Sequence, residues 1–222
     1  SQQIYHDWSL ADFSLAPEDE LHIQVSIADN NTLSGPSITR SHLIIGRYPS
    51  LEDLFNRMEE DEADVEEYSE DIYMTLEDVQ ELVEELELEL LKSEEVTWEQ
   101  EQKIAETMEK MDNIFSQIEK VQETMQKIQE QAEQNNLISD ELVDKFSQFQ
   151  ELLDKMMTPE LLAAMEKMQE ALEEMEPQKL LDALENFEFD LEDFEAQLDR
   201  FIDMFELALA EQKMDEVVKR LE

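Results

Sequence analysis

The stretch WEQEQKIAETMEKMDNIFSQIEKVQETMQKIQEQAEQN, residues 98–135, decides the fold. Ile104, Met111, Ile118, Met125 and Ala132 recur at every seventh position, Ile114, Val121 and Ile128 form a parallel row, and Met108 and Phe115 flank them. That spacing specifies one long amphipathic helix whose apolar stripe must be covered by partners. Read as three rows wide, the stripe suits a bundle of several helices better than an isolated two-stranded coiled coil.

Working outward, the partners lie on either side. Upstream, Ser50 with Asp53 three residues on is a helix start, and the period of three and four begins there: Leu51, Leu54, Phe55, Met58, Val65, Tyr68, Ile72, Leu76, Val79, Leu82, Leu86 and Leu90. A first helix is expected from about Leu51 to Leu91, with Thr75 as an internal start if it breaks. Thr97 and Gln100 form a capping box for the second helix, which ends in the polar run Glu133, Gln134, Asn135, Asn136. At 1.5 Å per residue these arms are ~60 Å long.

Downstream, Ser139 precedes Leu142, Phe146, Phe149, Leu153 and Met156. Thr158-Pro159 is a cap followed by proline at the first helical position, so the chain must restart or kink there. A fourth segment with Leu161, Leu162, Met165, Met168, Leu172 and Met175 ends at Glu176-Pro177. The last carries Leu180, Leu184, Phe187, Leu191, Phe194, Leu198, Phe201, Phe205 and Leu209, after which Met214 to Leu221 reads as the start of a fifth helix. If the segments around Pro159 are colinear, four arms of similar length result. The expected fold is mainly α: a long-helix up-and-down bundle, or coiled-coil-like assembly, over residues 50–222, preceded by a short β-region over 1–49.

In that β-region Leu21, Ile23, Val25 and Ile27 alternate with His22, Gln24, Ser26 and Ala28, the period of a half-buried strand. Asp29, Asn30, Asn31, Ser34, Gly35 and Pro36 supply a turn, and a return strand is expected over Ile38 to Arg47 with Leu43 and Ile45 on one face. A further strand is expected near Ile4 to Leu15. Two or three strands leave apolar faces and edges open, so the piece reads as the end of a larger β-sandwich-like domain, with self-association through its strands as one outcome.

The runs Pro17-Glu18-Asp19-Glu20-Leu21, Ala28-Asp29-Asn30, Gly35-Pro36, Ser41 and Arg47-Tyr48-Pro49-Ser50 resemble the last immunoglobulin-like strands of a family of large bacterial membrane-anchored envelope proteins, catalogued only as a domain of unknown function. The resemblance implies upstream transmembrane helices, an extracytoplasmic location and a long acidic helical segment after the Pro-Ser. Glu18-Asp19 stands where that pattern has Gly-Asp. A cytoplasmic location is the alternative.

Composition then removes whole classes of function. With 60 acidic against 16 basic residues and a net charge of −44, the chain lacks the positive footprint that nucleic acid demands. Without cysteine it has no thiolate catalysis and no disulfides. No apolar run approaches the ~18 residues of a membrane span, so no membrane insertion by this segment is expected. His6, His22 and His42 all precede the helices, which excludes the Glu-x-x-His pattern of carboxylate di-iron bundles. Gly35 and Gly46 are the only glycines, so phosphate-cradling loops are missing too. No enzyme activity and no cofactor are expected.

What remains is charge. Between Arg57 and Lys92 there is no basic residue, and Glu59, Glu60, Asp61, Glu62, Asp64, Glu66, Glu67, Glu70 and Asp71 crowd the first helix. Like charges at i,i+4 cost a helix ~0.2–0.5 kcal/mol per pair. These nine form the candidate partner surface, either a solvated face or a docking surface for a basic protein, with weak divalent-cation binding as a further expectation. Twelve methionines read as core filler before they read as an adaptable groove. The functional expectation is a non-enzymatic structural or protein-interaction module. The alternative is an acidic binding module: a chaperone for basic or apolar segments, or a nucleic-acid mimic.

Overall fold

The computed structural model describes residues 5, 13, 15–16, 18–32, 35–135 and 137–221. Its elements are β1 (Glu20–Ile23), β2 (Ser26–Ala28), β3 (Ile38–Arg40), β4 (Ile44–Arg47), α1 (Leu51–Leu90), α2 (Trp98–Gln134), α3 (Asp140–Met156), α4 (Pro159–Glu174) and α5 (Pro177–Leu221). The change from strand to helix falls at Ser50. The compact units divide slightly later, into residues 1–57 and 58–222.

In the first unit, β1 pairs antiparallel with β4 and β2 with β3, as one interrupted hairpin. Ile23 lies opposite Ile44 and Ser26 opposite Arg40, so two residues, Gln24 and Val25, face three, Ser41 to Leu43. This is a bulge, and Ser41 fills it. Its Oγ accepts the Val25 N–H at 3.0 Å and its own N–H donates to the Val25 carbonyl at 2.8 Å. The extra residue corrects the expected facing. Ile44 sits across from Ile23 and Ile45 across from His22, so both faces of the outer ladder carry an isoleucine. Ile27, Ile38, Ile44 and Ile45 are all more than half exposed. The turn is closed by Asp29, whose carboxylate accepts the Ser37 N–H at 2.9 Å, and by Gly35 at φ +89°. The strand expected near Ile4 to Leu15 falls largely outside the described residues.

Helix α1 starts as the cap pattern dictates: Ser50 Oγ accepts the Asp53 N–H while the Asp53 carboxylate accepts from both Ser50 groups. It runs unbroken through Thr75, whose hydroxyl donates to the Asp71 carbonyl. Helix α2 begins on the complete Thr97–Gln100 capping box. Ser139 occupies the N-cap of α3 without a side-chain bond; its own N–H donates to Asp215 of α5 at 2.9 Å instead. Thr158 caps α4 through the Leu161 N–H, Pro159 follows, and α4 ends on Met175 in the left-handed conformation at φ +54°. The fifth helix expected from Met214 is instead the continuation of α5. Nothing between Leu209 and Leu221 breaks it, since no Gly or Pro intervenes and Asp215 is taken up by the Ser139 N–H.

The second unit is a four-arm up-and-down bundle. Earlier residues of α1 meet later residues of α2: Glu85 pairs with Lys103, Asp78 with Lys110 and Asp61 with Lys127. Asp154 of α3 accepts from Gln122 of α2. Along α5, Lys145 of α3 pairs with Glu211, Phe149 meets Phe201 and Phe205, and Glu174 of α4 pairs with Lys179. Thus α3 and α4 lie one after the other along α5 and together make the third arm. Gln80–Glu195 and Glu62–Gln212 then close α5 back onto α1.

The core is heptad throughout. On α1 from Met58 on, Met58, Glu62, Val65, Ser69, Ile72, Leu76, Val79, Val83, Leu86 and Leu90 are buried at alternating steps of four and three, with Asp61 buried beside them. On α5 the same steps bury Leu180, Leu184, Phe187, Leu191, Phe194, Leu198, Phe201, Phe205, Ala208 and Gln212, with Ala183 and Leu209 buried beside them. That 3.5-residue period is the knobs-into-holes repeat of a left-handed supercoiled bundle. On α2 the fully buried stripe is narrower than expected. Gln100 and Thr107 complete the Ile114 row, while Met108 and Phe115 are only half-buried, because each arm needs just two rows to meet its neighbours.

Candidate interaction site on the α1–α5 seam

The nine acidic residues expected to form one surface are distributed around α1. Glu59, Glu60, Asp64, Glu66, Glu67 and Glu70 are exposed and Asp71 is half-buried. Asp61 and Glu62 are buried, at 5% and 6% exposure. Asp61 faces α2, where Lys127 and Gln131 donate to its carboxylate. Glu62 faces α5 and accepts from the Gln212 amide. Burial pushes the Glu62 carboxyl up to about 7, with Glu59 and Glu66 adding to the rise, and the Gln212 hydrogen bond and Lys213 opposing it. Gln212 Oε1 is itself enclosed without a partner among the described residues.

The two sides of α1 differ in charge. Toward α2, lysines answer the acids: Lys103 bonds Glu89 at 2.6 Å and Glu85 at 2.9 Å, Lys110 bonds Asp78 at 2.8 Å, and the Lys120 ammonium lies 5.3 Å from the centre of the Tyr68 ring. Glu89 and Glu85 hold the Lys103 pKa well above its usual value. Toward α5, apart from Lys213 near Glu62, acid meets acid or amide. Glu87 is raised by burial and then by Glu188, Glu185 and Glu84, and its Oε1 is enclosed with no partner among the described residues. Glu195 accepts the Gln80 amide at 2.8 Å and no cation among the described residues.

On that same seam a groove of about 460 Å³ opens where the α1 core row has a serine. Ser69 turns its hydroxyl inward onto the Val65 carbonyl at 2.7 Å, so a small side chain stands where the row otherwise carries Leu76, Val83 and Leu90. The floor left open is Phe205 with Tyr73, Met74 and Ile202, and the rim is Glu66 and Glu70 on α1 and Glu206 on α5. Residue-by-residue reading of charge did not find this groove. The heptad phase would have: counting back in sevens from Leu76 lands on Ser69 and Glu62.

The carboxylates around the groove stand on solvated helix faces, and the lining holds the Ser69 and Tyr73 hydroxyls but no histidine. Among the described residues no group of three or more His, Cys, Asp or Glu is placed to hold a metal ion, and no helix is long and apolar enough to cross a membrane. His22 pairs with Glu20 on the hairpin surface, and His6 falls outside the described residues. No protein-family model, curated protein or solved structure matches the chain.

Proposed function

We propose that this chain is a non-enzymatic protein-interaction module: a stiff helical bundle that holds an acidic surface in place for a basic protein partner. The observation that carries the reading is the division of charge on α1, where lysines bond the acids on the α2 side while those on the α5 side, Lys213 near Glu62 apart, meet carboxylates and amides. A purely structural spacer has no need of that asymmetry, whereas a docking surface does. The acidic binding module, a chaperone for basic or apolar segments, is the second reading, favoured by the open apolar floor at Phe205 and Met74. An extracytoplasmic place in a bacterial envelope protein is supported by the motif resemblance over residues 17–50 alone, and cell fractionation of the native protein tests it.

Titration calorimetry with a small basic globular protein decides between binder and inert spacer. The expected result is measurable binding at about 50 mM salt that weakens steeply by about 300 mM, where the Debye length has fallen below ~6 Å. Absence of binding at the lower salt leaves only the spacer role.

A further inference from the structure

We propose that the α1–α5 seam is the docking site of a basic amphipathic helix from a protein partner, which seats an apolar side chain over Ser69 and Phe205 and sets its cations against Glu66, Glu70 and Glu206. The inference deepens the interaction-module reading and rests on it.

Three features of the seam specify this occupant. The floor is apolar and shaped by a small residue. Met74 is 57% exposed at its edge and Tyr73 and Ile202 are half-buried, so a large aliphatic or aromatic side chain would gain contact there that water does not give. The rim is acidic on both banks. Glu66 and Glu70 stand one helical turn apart on α1 and Glu206 faces them from α5, and the groove lining contains no lysine or arginine. Toward the Leu90 end the seam continues the sign, with Glu87 opposite Glu185 and Glu188 and its enclosed oxygen without a donor among the described residues, while at the other end Lys213 lies near Glu62. Two other grooves on the bundle carry cations, Lys167 and Lys179 between α4 and α5 and Lys110 beside Leu82 and Leu88, while the one lined by Glu119, Glu123 and Asp154 has no cation but no apolar side chain in its lining either. A helix with an apolar stripe flanked by Lys or Arg at spacings of three and four matches floor and rim together, in the manner of a helix laid into a groove. A polyamine would match only the rim.

Fluorescence polarisation with three labelled helical peptides of about 18 residues tests the proposal. The first carries Leu along one face and Lys on the other, the second replaces each Leu by Ser, and the third replaces each Lys by Glu. The first should bind, the second about tenfold more weakly and the third not at all. The variant Glu66→Gln/Glu70→Gln/Glu206→Gln should weaken the first peptide about tenfold, and Met74→Ser/Ile202→Ser should do the same without a change in charge. The comparison variant Glu119→Gln/Glu123→Gln/Glu166→Gln, which removes equal charge from exposed positions on α2 and α4, should change binding less than about twofold. Circular dichroism establishes that each variant retains its helix content. If both charge variants weaken the peptide equally, or the Met74/Ile202 variant leaves it unchanged, the seam is overturned as the site while a general acidic interaction surface stands. If the Leu/Lys peptide does not bind although a basic globular protein does, the proposed occupant is wrong. If neither binds, the interaction-module reading falls with it.

Discussion

Glu62 is the residue on which pH acts most directly. An unfolded glutamate titrates near 4.5 and this one near 7, so the folded bundle holds an extra proton between those values. The sign follows: its contribution is complete below about pH 4.5 and is lost as pH rises through about 7, because the charged form is then buried against α5. Protonated Glu62 also has an O–H to offer the otherwise unpartnered Gln212 Oε1. The groups that act on it are Glu59 and Glu66 on α1 and Gln212 and Lys213 on α5. All carboxylates relieve repulsion when they protonate, so the specific part is isolated by Glu62→Gln. That variant should be more stable than the parent at about pH 8, by an amount on the order of 2 kcal/mol, and should show a shallower loss between about pH 4.5 and 7 in urea melts. A parallel curve for the two proteins would mean that Glu62 is charged in the fold at no cost. Local chemistry of this kind is only half legible in sequence. The Thr97–Gln100 box declares itself because both partners lie within one turn. The Ser139–Asp215 bond does not, because its partner is 76 residues away.

Each arm of the bundle is an element whose limits are set by caps and whose burial is set by the heptad. Thr158 illustrates the first: it is the only side chain closing the N-terminus of α4 with a hydroxyl, directly after the break that divides the third arm. Thr158→Ala should cost about 1 kcal/mol by denaturant midpoint with helix content retained, and Thr158→Ser should restore most of it. The helix starts and stops were readable because capping and proline act over three or four residues. The continuation of α5 past Leu209 was misread because the apolar stripe thins at Gln212, a polar residue that keeps the heptad position and is buried at 5% exposure. Similarly, Val83 rather than Leu82 faces the core, since register against α5 and not hydrophobicity alone decides. In the hairpin, one inserted residue reverses which isoleucine shares a face with Ile23, a shift that alternation cannot reveal. With Ile44 and Ile45 both more than half exposed, the hairpin offers association surfaces on either side. Sedimentation equilibrium should show concentration-dependent self-association that Ile45→Asp abolishes; a monomer at all concentrations would show that these faces are tolerated in water.

At the scale of the whole molecule, a net charge of −44 must be carried by a fold with sixteen lysines and arginines to answer it. The bundle spends several of its lysines on one seam. Lys103, Lys110 and Lys127 project from α2 onto α1, while the opposite side of α1 meets Glu185, Glu188, Glu195 and Glu206 with little but amides in reply. Unfavourable interaction is therefore concentrated along α1–α5, where it is held by the packing of Leu76, Val83 and Leu90 on one helix and Leu184, Leu191 and Leu198 on the other. Screening should relieve it. The melting temperature should rise with added monovalent salt and level off by about 0.5 M, where the Debye length is ~4 Å. The seam can be tested separately from the total charge. Glu188→Lys places a cation beside Glu87, and should stabilise by about 1 kcal/mol, or roughly 2–4 °C in Tm, at low salt while reducing the salt dependence. Glu123→Lys, an identical change of net charge on the exposed face of α2, should do much less. Equal gains from the two would locate the repulsion in the overall charge rather than in the seam, and would remove the electrostatic reason for a cationic partner to choose that side of the bundle.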